Sequence, residues 1–386
     1  MALAEHRKKI IDVLVLAALT VAVIALVVFP KESVAAAKDG LALCGNVIVP
    51  SLFPFFVLSS LIVETGVTRY LGRALEPVMR PLFNVSGSCV AAFALGFIGG
   101  YPVGAKTVIA LYENGSCTKA EAERLLSFCN NSGPAFIFGV VGAGVFSSGR
   151  IGLLLYLAHT LASITVGILF RGWGRRNPRA GSRPASTQRP KGLAAAFTDS
   201  VKSSFQSTVN ICGFVIFFTV FIKMLFISGA IPSLAALLGR AFDPLGFSEK
   251  WAERLLTGFI EISSGVWTLK GVEGQLTGSV AMAAFMLGWA GLSVHSQVLS
   301  FIGESGLSVK TYIMGKFLQG VLSAALVFLL SRVTALDVPA AYLAQQVTGI
   351  AEIGFRRALI ASCTAALALF FLFVMGARVA ARQNVK

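Results

Sequence analysis

Two apolar stretches in the first half of this chain are each broken by residues that a lipid-facing helix excludes, and these breaks restrict what it can fold into. The first break reads Gly99-Gly100-Tyr101-Pro102-Val103-Gly104-Ala105-Lys106, the second Asn130-Asn131-Ser132-Gly133-Pro134. Glycine and proline stop a helix and strand backbone amides and carbonyls that hydrocarbon cannot satisfy. At membrane depth such breaks survive only where they are packed in protein or line a wet cavity. Lys106 adds an intramembrane charge, whose default reading is a functional group facing the protein interior. Paired interruptions of this kind are the sequence sign of a transporter's binding site.

The surrounding composition fixes the solvent. With 55% hydrophobic and 13% charged residues and a mean hydropathy of +0.77, a soluble domain is excluded. The run over residues 10–29 is long enough to cross a bilayer. It follows Arg7-Lys8-Lys9 and carries no small-residue cleavage signal, so an uncleaved first helix is expected. A net charge of +15 would suit nucleic acid, but the basic residues flank apolar runs instead of forming a face with interleaved aromatics. Arg171, Arg175, Arg176, Arg179, Arg183, Arg189 and Lys191 share one loop that has no acidic residue, which marks it as cytoplasmic. Arg378, Arg382 and Lys386 mark the C-terminal tail likewise, so both termini are expected in the cytoplasm of a multi-pass cell-membrane protein. The expected surroundings are the lipid bilayer and a small-molecule substrate, with no nucleic acid; a homo-oligomer is allowed. The six cysteines and three histidines are too scattered for a disulfide framework or a metal site, so no metal and no cofactor is expected. No nucleophile stands with a base at suggestive spacing, so an enzyme is not expected.

In chain order, a short polar connection over residues 31–40 leads to a second membrane segment, 41–63, kinked by Pro50 and Pro54. Residues 69–82 place Arg69, Arg73, Glu76 and Arg80 at helical spacing, an amphipathic piece suited to the interface. Residues 86–111 read as a re-entrant hairpin. Thr118 and Glu121 form a capping box that opens the helix running into the second break. Residues 151–170 cross again, and 172–192, rich in Arg, Pro, Gly and Ser, read as a disordered linker.

A repeat follows. Leu71-Gly72-Arg73-Ala74-Leu75-Glu76-Pro77 recurs as Leu238-Gly239-Arg240-Ala241-Phe242-Asp243-Pro244, Cys44-Gly45 as Cys212-Gly213, and Gly96-Phe97-Ile98 as Gly258-Phe259-Ile260, in the same order. Crossing parity runs residues 41–63 inward and their counterpart 209–226 outward, so the copies are inverted. The expected fold is an all-α polytopic membrane protein of two inverted repeats, each with a re-entrant helical hairpin and a broken transmembrane helix. The expected units are an N-terminal helix over 1–40, a first repeat over 41–170, a cytoplasmic linker over 171–200, a second repeat over 201–331, and an outer loop with a last helix over 332–386. Breaks in the second copy fall at Glu261-Ile262-Ser263-Ser264-Gly265 and across residues 288–297; residues 309–330 and 358–375 read as ordinary spans.

The string Gly100-Tyr101-Pro102-Val103-Gly104-Ala105-Lys106, with Gly115, Glu121-Ala122, Leu125-Leu126, Phe128 and the second break, resembles the YlbJ-type sporulation integral membrane proteins of the nucleoside-recognition (Gate) domain family. That family is similar in plan to concentrative nucleoside transporters. The resemblance spans about residues 41–330 and includes Gly291-Leu292-Ser293-Val294-His295-Ser296-Gln297 in the second copy. It implies a multi-pass carrier with paired hairpins and, in the sporulation branch, movement of dipicolinate toward the developing spore across a membrane that surrounds it. No sodium-site pattern matches, which leaves the coupling ion as H+ or Na+.

Dipicolinate is a rigid aromatic dicarboxylate, a small organic anion that calls for positive potential, several donors and a flat wall. Lys106 is a candidate point charge, with snorkelling or a pair with Glu113 as the alternative. Half-helix starts near Gly104 and after Pro134 offer free amides. Asn130, Asn131, Ser132, Ser263, Ser264, Ser293 and Gln297 are candidate hydrogen-bonding residues, although the asparagines would equally satisfy backbone freed by Pro134. Tyr101 either stacks on the ring or packs the interior. Glu261 and His295 are candidates for proton coupling; alternatively Glu261 pairs with Lys106 or Lys270, and His295 packs in the interior. A nucleoside carrier is the alternative within the same fold, and a non-transporting assembly or regulatory protein the alternative outside it.

Overall fold

A computed structural model describes residues 2–65, 68–113, 115–174, 192–272 and 276–334. Among them the regular structure is helical throughout and no strand occurs. The all-α expectation holds. Helix α1 (Ala2–Val28) stops at the Phe29-Pro30 step, and the axis turns by 97° into α2 (Pro30–Leu43). The polar connection expected over 31–40 is therefore a helix. Pro30 at its first position presets the helical φ, and Val34-Ala35-Ala36-Ala37 propagates it despite Lys31 and Glu32. A π-helical turn, Cys44–Ile48, passes the chain to α3 (Val49–Glu64). Apolar side chains along α1, Val13 and Val27 among them, stand exposed, as contact with lipid requires.

The amphipathic helix forms as expected, α4 (Thr68–Phe83), and the chain turns by 94° as it enters the segment that follows. The Glu76 carboxylate fixes this corner, accepting from Arg80 Nε and from the Gly87 amide. Helices α5 (Val90–Ile98) and α6 (Val103–Glu113) make the first hairpin. Helix α7 (Lys119–Phe128) opens on the Thr118–Glu121 capping box, breaks over 129–134, and continues as the π-helical segment Ala135–Val145. Helix α8 (Gly149–Leu169) completes the first copy.

The second copy runs through α9 (Leu193–Ile227), α10 (Ala230–Phe242), the hairpin α11 (Glu249–Ile260) and α12 (Ile262–Trp267), the broken pair α13 (Leu276–Trp289) and α14 (Gly291–Ser305), and α15 (Val309–Thr334). The linker expected over 171–200 is helical from Leu193 onward, and residues 175–191 lie outside the described residues. So do the expected outer loop and last span beyond Thr334. Among the described residues, four helices are long and apolar enough to cross a membrane, and up to six if each bent pair counts as one span.

Three contacts fix the relation between the copies. Ser33 Oγ donates to Met224 Sδ at 3.8 Å, Gly40 lies against Ile216, and Cys44 Sγ donates to the Cys212 carbonyl at 3.8 Å. As residue numbers rise along α2 they fall along α9. Counterpart helices are thus antiparallel, and the repeated Cys-Gly pairs meet where they cross, which is the geometry of inverted repeats. The Gly-Phe-Ile match also falls in register, because it forms the last turn of α5 and of α11 before each hairpin tip.

Close approach of helices depends on glycines. A Cβ at Gly96 would lie 1.7 Å from the Cys129 carbonyl oxygen, and one at Gly104 1.9 Å from the same atom, so both arms of the first hairpin pack directly on the end of α7. Gly104→Ala is expected to destabilise the purified protein by about 1–3 kcal/mol. Gly213→Ala, whose Cβ would meet nothing within 4 Å, is expected to leave thermal unfolding unchanged. A thermal unfolding assay on the detergent-solubilised protein compares the two.

Candidate functional site

Each hairpin tip ends against the break of the helix that follows it. In the first copy Gly100, at φ +76°, faces Gly133, and a Cβ on either would lie 3.1 Å from the other's backbone. In the second copy Gly291, at φ +83°, takes the same part, its Cβ position 3.1 Å from the Ile260 carbonyl and the Ile262 amide. The adjoining Ala290 is buried at φ +79°, a left-handed conformation that costs a non-glycine residue about 1 kcal/mol or more. The four non-helical points converge on a cavity of about 50 Å³. Its polar wall comprises Tyr101, Ser132, Glu261, Ser263, Ser293 and Gln297; the opposite wall is apolar, with Ile48, Leu52, Ile211 and Val215 from the π-helical turn Cys44–Ile48, α3 and α9.

Glu261 is the residue that ends one hairpin arm and starts the other. Its backbone is extended, at φ −141° and ψ 121°, and its carboxylate accepts from the amides of Ser263 at 2.9 Å and Ser264 at 2.6 Å. A buried carboxylate is thereby matched to the partial positive charge of free helix-start amides. Trp289 braces the second tip from the other side, donating from its indole nitrogen to the Phe259 carbonyl at 3.0 Å and stacking on the Phe259 ring at 4.5 Å between centroids.

The first break is served by a cation from α15. Lys316 is fully buried, and its Nζ donates to the Asn130 carbonyl at 2.8 Å, to Gln319 Oε1 at 2.7 Å and to Tyr101 Oη at 3.0 Å. All three ammonium protons are used, and no carboxylate lies within 4.0 Å of it among the described residues. The Tyr101 hydroxyl in turn donates to the Leu287 carbonyl at 2.6 Å, which joins the first hairpin tip to the second broken helix. Gln319 Nε2 donates to Asn131 Oδ1 at 2.8 Å and lies 3.3 Å from His159 Nε2, which accepts from the Ser132 amide at 3.1 Å. Asn130, Asn131 and Ser132 thus each meet a partner from α15 or α8.

Of the residues singled out in the sequence, Tyr101, Ser132, Ser263, Ser293, Gln297 and Glu261 line the cavity. Gly104 packs against α7, and Asn130 and Asn131 face α15 behind the cavity. Ser264 gives its amide to Glu261. His295 is buried, bonded through Nδ1 to Tyr312 Oη at 2.9 Å and set edge-on to Trp289. Lys106 points elsewhere: its Nζ donates to Ser203 Oγ at 3.1 Å and Ser207 Oγ at 3.2 Å on α9, in a separate cavity of about 210 Å³. Neither Lys106 nor Lys270 is paired with Glu261; Lys270 lies over the Trp267 ring. The residues that sequence reading passes over are Lys316, Gln319 and His159. The stretch expected as a span over 309–330 is one, and it carries a buried lysine at its heart. A lysine and a glutamine inside an apolar run were the available signal.

Inverted repeats, paired re-entrant hairpins and broken helices whose breaks meet in the interior define a carrier-type membrane protein. The fold is that of the concentrative nucleoside transporter CNTnw. It matches a single-substitution variant of that transporter in an intermediate state with a TM-score of 0.55 over 85% of this chain and 86% of that one, at 16% identity. It matches the inward-facing substrate-bound state with a TM-score of 0.53 over 87% and 86%, also at 16% identity. In sequence, residues 47–168 and 208–308, more than half of the chain, match the Gate family, described as nucleoside recognition. The sporulation integral membrane protein YlbJ of Bacillus subtilis (strain 168) is 33% identical over 78% of each chain. The chain belongs to the nucleoside-recognition Gate family, in its YlbJ-type branch. These relatives are membrane transporters and a sporulation membrane protein, not enzymes.

If the Glu261 carboxylate holds the second tip as a cap, Glu261→Ala should lower stability by about 1–2 kcal/mol and Glu261→Gln by less, since the amide oxygen keeps one acceptor. Thermal unfolding of the two variants checks the order; equal loss in both would exclude capping.

Proposed function

We propose that the protein is a secondary carrier of a small organic anion, with dipicolinate as the first candidate, working by alternating access around the central cavity. The observation that carries this reading is a buried, carboxylate-free ammonium, Lys316, one hydroxyl away from a cavity on which four half-helices converge. Positive potential from that charge, reaching the cavity through Tyr101, and from half-helix N-termini suits a carboxylated solute. Ser132 Oγ, buried on the cavity wall and without a hydrogen-bond partner among the described residues, is a ready contact for it. The relation to a sporulation membrane protein supports a site in a membrane around the forespore where the organism makes spores. The basic loop supports cytoplasmic termini.

At about 50 Å³ the cavity is smaller than a typical ligand pocket of about 300 Å³ or more, so admission requires its walls to part. Its polar groups lie on the hairpin side and its facing wall is apolar. A solute held by the hairpins would travel with them along that wall.

A nucleoside is the second reading. The observation favouring it is the Glu261 carboxylate on the cavity wall, an acceptor suited to sugar hydroxyls, in a family described by nucleoside recognition.

Uptake of labelled dipicolinate into proteoliposomes tests both. Expected is saturable uptake that falls at least about tenfold in Ser293→Leu, which fills the cavity, and stays within about threefold of wild type in Lys106→Ala. Nucleoside uptake without dipicolinate uptake would establish the second reading. Uptake of neither, in protein with a normal unfolding profile, would sink the carrier reading.

A further inference from the structure

We infer that the Lys316 ammonium is a tethered cation occupying the place where a carrier of this architecture would bind a coupling ion, so that the protein works without sodium. The functional half of this inference rests on the carrier reading; the binding half does not. In broken-helix carriers the unwound backbone offers carbonyls that coordinate Na+ or take part in proton coupling. The unwound backbone between α7 and the π-helical segment includes Asn130, and its carbonyl is taken by Lys316 Nζ at 2.8 Å.

Two further oxygens complete the shell, Gln319 Oε1 at 2.7 Å and Tyr101 Oη at 3.0 Å. One comes from the break, one from α15 and one from the first hairpin tip, so the shell draws on three separate elements. That is how a mobile cation would be held. The acceptors are themselves fixed, Gln319 by Asn131 Oδ1 and Tyr101 by the Leu287 carbonyl, and therefore present oxygen to whatever stands at the centre. A resident ammonium satisfies those oxygens permanently. An incoming sodium ion would find the carbonyl already used and would meet like charge at close range.

The groups around the ammonium argue against a plain ion pair. His159, His295 and Tyr101 are the titratable groups near it, and no acidic side chain lies within 4.0 Å of it among the described residues. An unpaired charge at this depth is expensive, which is the condition under which a functional role is the default reading. Lys106 makes the contrast: with two serine hydroxyls and an exposed position it has no backbone carbonyl to neutralise and no link to a break.

The test uses the full chain, purified in detergent, with radioactive sodium binding as the primary readout. Wild type is expected to show no saturable sodium binding, and in proteoliposomes equal uptake in sodium and in choline buffers. Lys316→Ser vacates the centre; this variant is expected to gain saturable binding of sodium or methylammonium. Its uptake in choline should fall about tenfold or more and recover in part when either cation is added. Lys316→Gln, which keeps chain length but not charge, serves as the second variant. Saturable sodium binding by wild type would overturn the proposal, and that measurement decides alone if neither variant folds. A folded variant that gains no affinity for either cation would overturn it equally. Should wild type transport nothing, the carrier reading fails while the binding arm still decides the tethered cation.

Discussion

Backbone that is neither helix nor sheet must still find hydrogen-bond partners at membrane depth, and the arrangement of this protein follows from how its two copies meet that demand. The first copy leaves a carbonyl free at Asn130, and a cation from α15 of the second copy, Lys316, answers it. The second leaves amides free at Ser263 and Ser264 and answers them with an anion, Glu261. Each charge neutralises the exposed end of a peptide dipole, and neither residue has an ion pair to the other's sign within 4.0 Å among the described residues. The breaks of the two repeats are alike in chain path and are met by opposite charges, both carried by the second copy.

Glycine decides how closely the helices approach, within each copy and between them. Gly100 and Gly133 let tip and break touch backbone to backbone, and a Cβ at Gly288 would lie 2.5 Å from Gly320, so α13 and α15 pack at the same intimacy. A Cβ at Gly315 would likewise lie 2.3 Å from the Ser127 carbonyl. Gly315 precedes Lys316, and this contact brings α15 near enough to α7 for the ammonium to reach Asn130. Small residues at helix crossings are the usual means of close packing in membranes, where burying apolar surface from lipid gains little. Here the gain is geometric: three helices approach until a side chain from one can complete the backbone of another.

Much of this was legible in the sequence. The breaks announce themselves, because glycine, proline and side-chain amides inside an apolar run are costly anywhere but at a break packed in protein. The recurring Cys-Gly and Gly-Phe-Ile pairs place the copies in register, and their positions in the fold, at the helix crossing and at the last turn before each tip, show why those residues recur. The position of Lys106 was not legible. It shares α6 with Gly104 and Ala105, which face α7, yet one residue further along a helix the direction turns by about 100°, toward α9. Lys316 was legible as an anomaly but not as a partner, since nothing in a chain tells that residue 316 meets residue 130. Only the folded path, with α15 laid against α7 and α8, supplies that meeting.

The cavity lies on a seam between two hydrophobic cores. One is large and contains the hairpins, the broken helices, α8 and α15; the other is small, formed by Cys44, Ile48, Phe56, Ile211 and Val215. Across the seam the small core shows the cavity only aliphatic surface, while nearly every polar group belongs to the large one. Directional bonds would pin the two bodies in one register, whereas aliphatic contact is tolerant of sliding because it depends on area more than on alignment. The hydrogen bonds through Lys316, Tyr101 and Gln319 lie wholly inside the large core, while Lys106 crosses the seam to Ser203 and Ser207 on α9. The former join the first tip to both broken helices, and Trp289 ties the second tip to the same unit through the Phe259 carbonyl. The structure is therefore stiff where it would grip a solute and, at the cavity wall, smooth where it would have to move, with the Lys106 bridge to α9 as the directional contact that motion would break.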